Sequence, residues 1–215
     1  MSPVALALSV LAAYLVGSIP AAYLAGKAKG VDLRQHGSGN LGATNAWRVL
    51  GWKIGLSVYL FDTLKGALPV LLLPHPAANA DLWKIAYGVA AIAGHVKPIY
   101  LGGKGGGKGV ATAGGVFFAL APAALLVALG VFVAVFLASG YVSLGSLSAA
   151  AVLPVALLVL NGGRVTPVLV IGVLLAAFVF WTHRANIGRL RRGQENRFNV
   201  WRRTRGAPGE AGGAR

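Results

Sequence analysis

Residues 3–25 read PVALALSVLAAYLVGSIPAAYLA, a run without a single charged side chain. A helix needs about 20 such residues to cross the hydrocarbon core of a bilayer, and in that core every backbone N–H and C=O must be satisfied within the segment. The run therefore predicts a membrane-spanning helix. No basic residue precedes Lys27, so the stretch lacks the charged start of a secretory signal and reads as a retained helix. Further apolar runs follow at 52–73, 82–100, 109–121, 122–138, 145–160 and 165–182. Seven spans are expected, or six if 109–138 is one long helix rather than two pieces broken near Pro122. A mean hydropathy of +0.70, with 56% hydrophobic and 12% charged residues, excludes a soluble domain of this length. The expected fold class is an all-α, polytopic integral membrane protein with one domain over 1–203. The Gly/Ala/Arg-rich stretch 204–215 is expected to be a disordered tail.

Charge sets the orientation. Of 20 Lys and Arg, five lie in 26–53, three in 97–108 and nine from Arg184 onward; Lys84 and Arg164 fall on the opposite side and Lys65 within a span. The positive-inside rule places the N-terminus outside and the basic loops and C-terminus in the cytoplasm. The net charge of +15 is that of juxtamembrane segments beside anionic headgroups, so no nucleic-acid partner is expected. The absence of cysteine removes disulfides, thiolate catalysis and Cys-ligated metal. No internal repeat is evident, which weakens a transporter built from paired halves.

Two cytoplasmic connections carry most of the chemistry. Residues 101–112, LGGKGGGKGVAT, match the G-x-x-x-x-G-K pattern from Gly102 to Lys108. Gly109, however, stands where a nucleotide loop needs Ser or Thr, and no strand precedes it. What remains is a glycine run with Lys104 and Lys108 before a helix starting near Gly109. Exposed N–H groups and a lysine there form an anion site, with Gly106, Gly107 and Gly109 as backbone donors. The plain alternative is a flexible loop whose lysines mark the inner face. Residues 36–48, HGSGNLGATNAWR, bring Ser38, Asn40 and Asn45 close to Arg48. Amides that both donate and accept suit a polyol phosphate, and a guanidinium can grip phosphate in a bidentate fork. Here the alternative is a loop that caps a helix beginning near Thr44.

A third group follows the last span. His183 and Asn186 are three apart and would share a face on a continuing helix, with His183 as base, phosphate ligand or interfacial residue. Glu195 is the acid beside this group and would hold Arg184 or Arg189. Asp62 and Lys65 fall within the second span, where an intrahelical pair or a support for the Arg48 loop is expected rather than a proton relay. Ser143, in the short polar connection 141–144, could reach the same pocket.

The segments SGNLGATN with Arg48, DTLKG at 62–66, GGKGVAT at 106–112, YVSLGS at 141–146 and HRANIGRL at 183–190 together resemble one family. It is the acyl-phosphate-dependent glycerol-3-phosphate acyltransferase of bacterial membranes. The resemblance runs from about Leu15 to Phe198. It implies about seven transmembrane helices and transfer of an acyl group from acyl phosphate to glycerol 3-phosphate, giving lysophosphatidic acid as the first acylation of phospholipid synthesis. It also implies Ser38, Arg48, His183 and Asn186 as catalytic residues, with glycerol 3-phosphate bound by the second motif. Neither cofactor nor metal is implied. The soluble enzyme that makes acyl phosphate is a candidate partner beside the two substrates and the bilayer. One departure is visible: the family reads Lys-Gly-Gly-Lys-Gly where Lys104 and Lys108 are here separated by three glycines, which leaves the register of Lys104 open. None of His36, His75 and His95 is followed five positions on by Asp, so the His–Asp pair of the commonest acyltransferases is absent. An organic-phosphate transporter is the alternative that would use the same basic pocket.

Overall fold

The structure, a computed structural model, describes residues 1–198; the tail expected at 204–215 lies outside the described residues. Ten α-helices follow one another in those residues: α1 Pro3–Gly17, α2 Ala21–Ala28, α3 Ala43–Leu50, α4 Trp52–Leu72, α5 Ala80–Val96, α6 Val110–Leu120, α7 Pro122–Ser139, α8 Val142–Leu160, α9 Pro167–Thr182 and α10 Arg184–Arg191. No strand occurs among them. Each predicted apolar run is largely helical, but the runs are not equal. The first, expected as one helix over 3–25, is broken at residues 18–20 into α1 and α2, where Pro20 precedes α2. By length and composition four can cross a bilayer: α1 with α2 taken together, α4, α7 and α8. A fifth is added if α9 and α10, bent by 58°, count as one broken span. The region 109–138 is two helices, and α6, with 11 residues, is about 16 Å long, too short to cross alone. The seven expected spans thus correspond to seven apolar helical segments of unequal length, of which four, or five with the bent pair, are long enough to cross. The break falls at Ala121 because Pro122 disfavours the helical region for the residue before it, while fitting the first position of α7.

Large apolar side chains such as Val4, Leu72, Val159 and Val165 are exposed, as expected of surfaces that meet lipid. Cohesion comes from small residues. A Cβ on Gly66 of α4 would lie 2.1 Å from the Thr112 carbonyl oxygen, and one on Gly115 of α6 would lie 1.9 Å from that of Thr63. Helix backbones approach this closely only across glycine, which is how helices pack where lipid supplies no hydrophobic drive. Val70, Val116, Phe117, Leu153, Leu157 and Leu169 fill the main core between α4, α6, α8 and α9. A second core of Ala22, Leu33, Leu41, Ala46 and Val58 anchors the loop before α3 onto α4. These contacts bring the ends of α3, α6, α8 and α10 together.

Candidate active site

Asn45, almost fully buried, organises the first loop. Its Nδ2 donates to the carbonyls of Leu33 at 3.2 Å and His36 at 3.0 Å, and its Oδ1 accepts from the Ser38 amide at 2.8 Å. Helix α3 starts after Gly42 without a side-chain cap, so the Ser/Asn cluster is not a capping device. Ser38, Asn40, Thr44 and Asn45 all line a cavity of about 450 Å³. Asn45 shapes the loop with three of its hydrogen bonds.

Arg48, on the last turn of α3, also lines this cavity and makes no salt bridge among the described residues. Burial lowers its pKa, Glu195 raises it and Arg189 lowers it further. Its guanidinium carbon sits 5.3 Å from the centroid of the Phe198 ring, a cation–π contact that holds the fork while leaving its donors for an anion. Phe198 is itself fixed. Its amide donates to Gly140 O at 2.9 Å, Arg197 Nε donates to Ser139 O at 2.9 Å, and the ring meets Trp47 and Phe136 edge-on. Residues 195–198 thus strap the segment after α10 to the α7–α8 corner. Gly140 admits the strap: its φ is +75°, and a Cβ there would stand 2.7 Å from Phe198 O.

Lys108, just before α6, donates through Nζ to Asn186 Oδ1 on α10. Asn186 Nδ2 in turn donates to Glu195 Oε1 at 2.6 Å, and Arg189 Nε donates to Glu195 Oε2 at 2.7 Å. Burial pushes the Lys108 ammonium down to about 8; Glu195 raises it, and Arg189 and Arg48 lower it. Burial works to raise the Glu195 pKa, but hydrogen bonds from Asn186 and Arg189 outweigh it and hold the carboxyl below its ordinary value. Ser143 lies buried beside Glu195 without a well-formed hydrogen bond. His183 occupies the bend between α9 and α10, with Nδ1 2.8 Å from the Val179 carbonyl. A carbonyl only accepts, so Nδ1 carries the proton and the second ring nitrogen is left to accept.

Nine of the residues singled out in the sequence meet on this cavity: Ser38, Asn40, Asn45, Arg48, Lys108, Gly109, Ser143, His183 and Asn186. Three do not. Lys104 is exposed and outside the cavity, so the lysine of the site is Lys108. Gly106 and Gly107 do not border it either; they lie against the end of α5, where Cβ atoms would meet Val96 O at 2.2 Å and His95 Nε2 at 2.1 Å. The helix carrying Asn186 does not continue from α9, so His183 and Asn186 converge through a bend rather than a shared face. Glu195 holds Arg189, whereas Arg184 donates to Trp181 O and stacks on its ring. The Asp62–Lys65 ion pair forms at 2.6 Å, and Lys65 also donates to Ile19 O at 2.8 Å rather than supporting the Arg48 loop. Sequence reading missed the part played by Phe198 and the joining of His95 to Asp62; single aromatic and histidine residues carry no spacing signal.

Half-buried Arg48, Lys108 and Arg189 meet amide and hydroxyl side chains on a cavity also lined by apolar helices, which defines an integral membrane protein with a basic pocket beside its apolar spans. Comparison narrows the class. The profile of the family described as glycerol-3-phosphate acyltransferase matches residues 7–193. The glycerol-3-phosphate acyltransferase of Geotalea daltonii is 47% identical over 191 residues, covering 88% of this chain and 95% of that protein. Two crystal structures of PlsY, an integral membrane glycerol 3-phosphate acyltransferase, share the fold. Its glycerol 3-phosphate form has a TM-score of 0.82 at 41% identity, and its lysophosphatidic acid form 0.79 at 40%; each covers 90% of this chain and 95% of the other. The chain belongs to the family of integral membrane glycerol-3-phosphate acyltransferases.

Proposed function

We propose that this protein transfers an acyl group from an acyl phosphate to the 1-hydroxyl of glycerol 3-phosphate, releasing inorganic phosphate and forming 1-acyl-glycerol 3-phosphate, lysophosphatidic acid. The observation that carries this reading is the meeting of Arg48, Lys108 and Asn186, from three separate segments, on a cavity that is also lined by apolar Leu125, Leu129 and Phe132 of α7. A polar acceptor fits the cationic end and an acyl chain fits the apolar wall.

An acyl phosphate is already activated because phosphate leaves readily, so no covalent enzyme nucleophile is required. The site has to hold both substrates in register and stabilise the developing oxyanion and the departing phosphate. Arg48 and Lys108 supply the charge, Asn186 orients the Lys108 ammonium, and Ser38, Asn40 and Ser143 offer hydrogen bonds to substrate oxygens. The 1-hydroxyl oxygen attacks the carbonyl carbon, the carbonyl–phosphate C–O bond breaks, and the hydroxyl proton goes either to His183 or to a substrate phosphate. With the basic loops on the cytoplasmic side of a bacterial inner membrane, glycerol 3-phosphate enters from the cytoplasm. Acyl phosphate then arrives from a soluble enzyme that makes it.

The test is purified protein in detergent with labelled glycerol 3-phosphate and either palmitoyl phosphate or palmitoyl-CoA. Labelled lysophosphatidic acid is expected with palmitoyl phosphate alone. Equal rates with the two donors would overturn the acyl-phosphate assignment.

A further inference from the structure

Asp62 and Lys65 on α4 and His95 at the end of α5 form a buried cluster, each less than 8% exposed. Asp62 Oδ1 lies 2.6 Å from Lys65 Nζ and 3.6 Å from His95 Nδ1, while Lys65 Nζ also donates to Ile19 O between α1 and α2. An ion pair inside a membrane helix is expensive unless it does something, and Asp62 pairs with Lys65 while its Oδ1 lacks a well-formed hydrogen bond. The informative member is His95. Its other ring edge faces the glycine-rich loop: a Cβ on Gly107 would lie 2.1 Å from His95 Nε2, and the Gly107 amide donates to His95 O at 3.2 Å. Gly106 is pressed equally closely against Val96 O, at 2.2 Å from a would-be Cβ. The loop therefore lies flat on the end of α5 with the imidazole as its floor, one residue before Lys108.

We infer that His95, its ring packed between Asp62 and Gly107, is a positioning residue that sets the height of the glycine-rich loop and so the reach of Lys108 toward substrate phosphate. This rests on the reading that glycerol 3-phosphate is held at Lys108. Removing the ring leaves a gap beneath Gly107 into which the loop can sink. A displacement on the order of 1 Å at a binding group can cost up to about 100-fold. His95 and Asp62 also border the cavity, whereas the apolar lining of Leu125, Leu129 and Phe132 belongs to α7, so the acyl donor is held as before.

The experiment uses the full chain in detergent, with His95→Ala, His95→Gln and Lys108→Ala compared with the parent protein. Glycerol 3-phosphate binding is measured calorimetrically without donor, and steady-state kinetics are followed with palmitoyl phosphate. His95→Ala is expected to raise the Kd and KM for glycerol 3-phosphate by roughly 10- to 100-fold while the KM for palmitoyl phosphate stays within about twofold. His95→Gln, planar and able to reach Asp62, should recover part of the affinity, and it carries the measurement if His95→Ala does not fold. Unchanged glycerol 3-phosphate affinity in the His95 variants, alongside weakened binding in Lys108→Ala, overturns the positioning role alone. A parallel rise in both KM values without recovery in His95→Gln marks a merely structural part and overturns it too. Unchanged binding in Lys108→Ala removes the placement of substrate at Lys108, and the proposal falls with it.

Discussion

Lys108 shows how one side chain is tuned. Burial holds its pKa near 8, against the model-peptide value of 10.5. Because the folded value is lowered, the ammonium is present below about pH 8 and is lost as pH rises through it, well before an exposed lysine would lose it. A phosphate monoester has its second pKa near 6, so its charge is constant above pH 7. The KM for glycerol 3-phosphate should therefore climb between about pH 7.5 and 9 in the parent protein, while Lys108→Ala shows a high, flat profile. A flat profile in the parent protein would remove the ammonium from binding. Arg48 works differently, since its planar fork is stacked on Phe198 and its donors face the cavity. Arg48→Lys keeps the charge but loses both the stacking and the bidentate geometry. The expected loss is about 1.5–3 kcal/mol, on the order of 10- to 150-fold in kcat/KM, with the fold retained. Retained activity in Arg48→Lys would mean that a point charge suffices there.

At the scale of elements, the site depends on how closely helices approach. Helix α6 is too short to cross a membrane and is instead held along α4 through Gly66 and Gly115. That contact sets where α6 begins, and so where Lys108 lies. A methyl at Gly115 would stand 1.9 Å from a backbone oxygen that cannot swing away, so the two helices would have to part. Gly115→Ala should lower the thermal midpoint in detergent by the equivalent of about 1–3 kcal/mol, the usual cost of overpacking. Gly130 on α7 has open space at its Cβ, and Gly130→Ala should be neutral or slightly stabilising, because alanine is the better helix former. Equal midpoints for the two variants would show that the α4–α6 contact yields without penalty. The strap at 195–198 plays a comparable part at the other end of the site, tying α10 to the α7–α8 corner through Ser139 O and Gly140 O.

For the whole molecule, the asymmetry of basic residues argues that all three motif segments face the cytoplasm. Their convergence on one cavity requires that they share a side, whichever side that is. Lys104, exposed and outside the cavity, and Arg164, exposed on the α8–α9 turn, are suitable sites for cysteine because the chain has none of its own. In intact cells an impermeant thiol reagent should label Arg164→Cys and leave Lys104→Cys unlabelled until the cells are opened. The reverse pattern would invert the topology.

Much was legible along the chain because apolar runs, glycine clusters and a proline break are local signals. Residues 3–25 announced a membrane helix by composition alone, and Pro122 marked where α6 and α7 separate, since proline restricts its predecessor wherever it stands. The glycine-rich segments and Arg48, Lys108, His183 and Asn186 could be picked out by residue type. Tertiary structure decided which lysine belongs to the site. Lys104 and Lys108 have the same chemistry and similar neighbours in the chain, but only Lys108 meets Asn186, 78 residues away. It also decided the bend at His183, the stacking of Phe198 on Arg48 and the placing of His95 between Asp62 and Gly107. The placing of Lys108, Phe198 and His95 depends on segments meeting across Gly66 and Gly115, Gly140, and Gly106 and Gly107 at near-contact distance. That approach is set by the complementary shapes of two distant segments, which neither segment's own periodicity encodes.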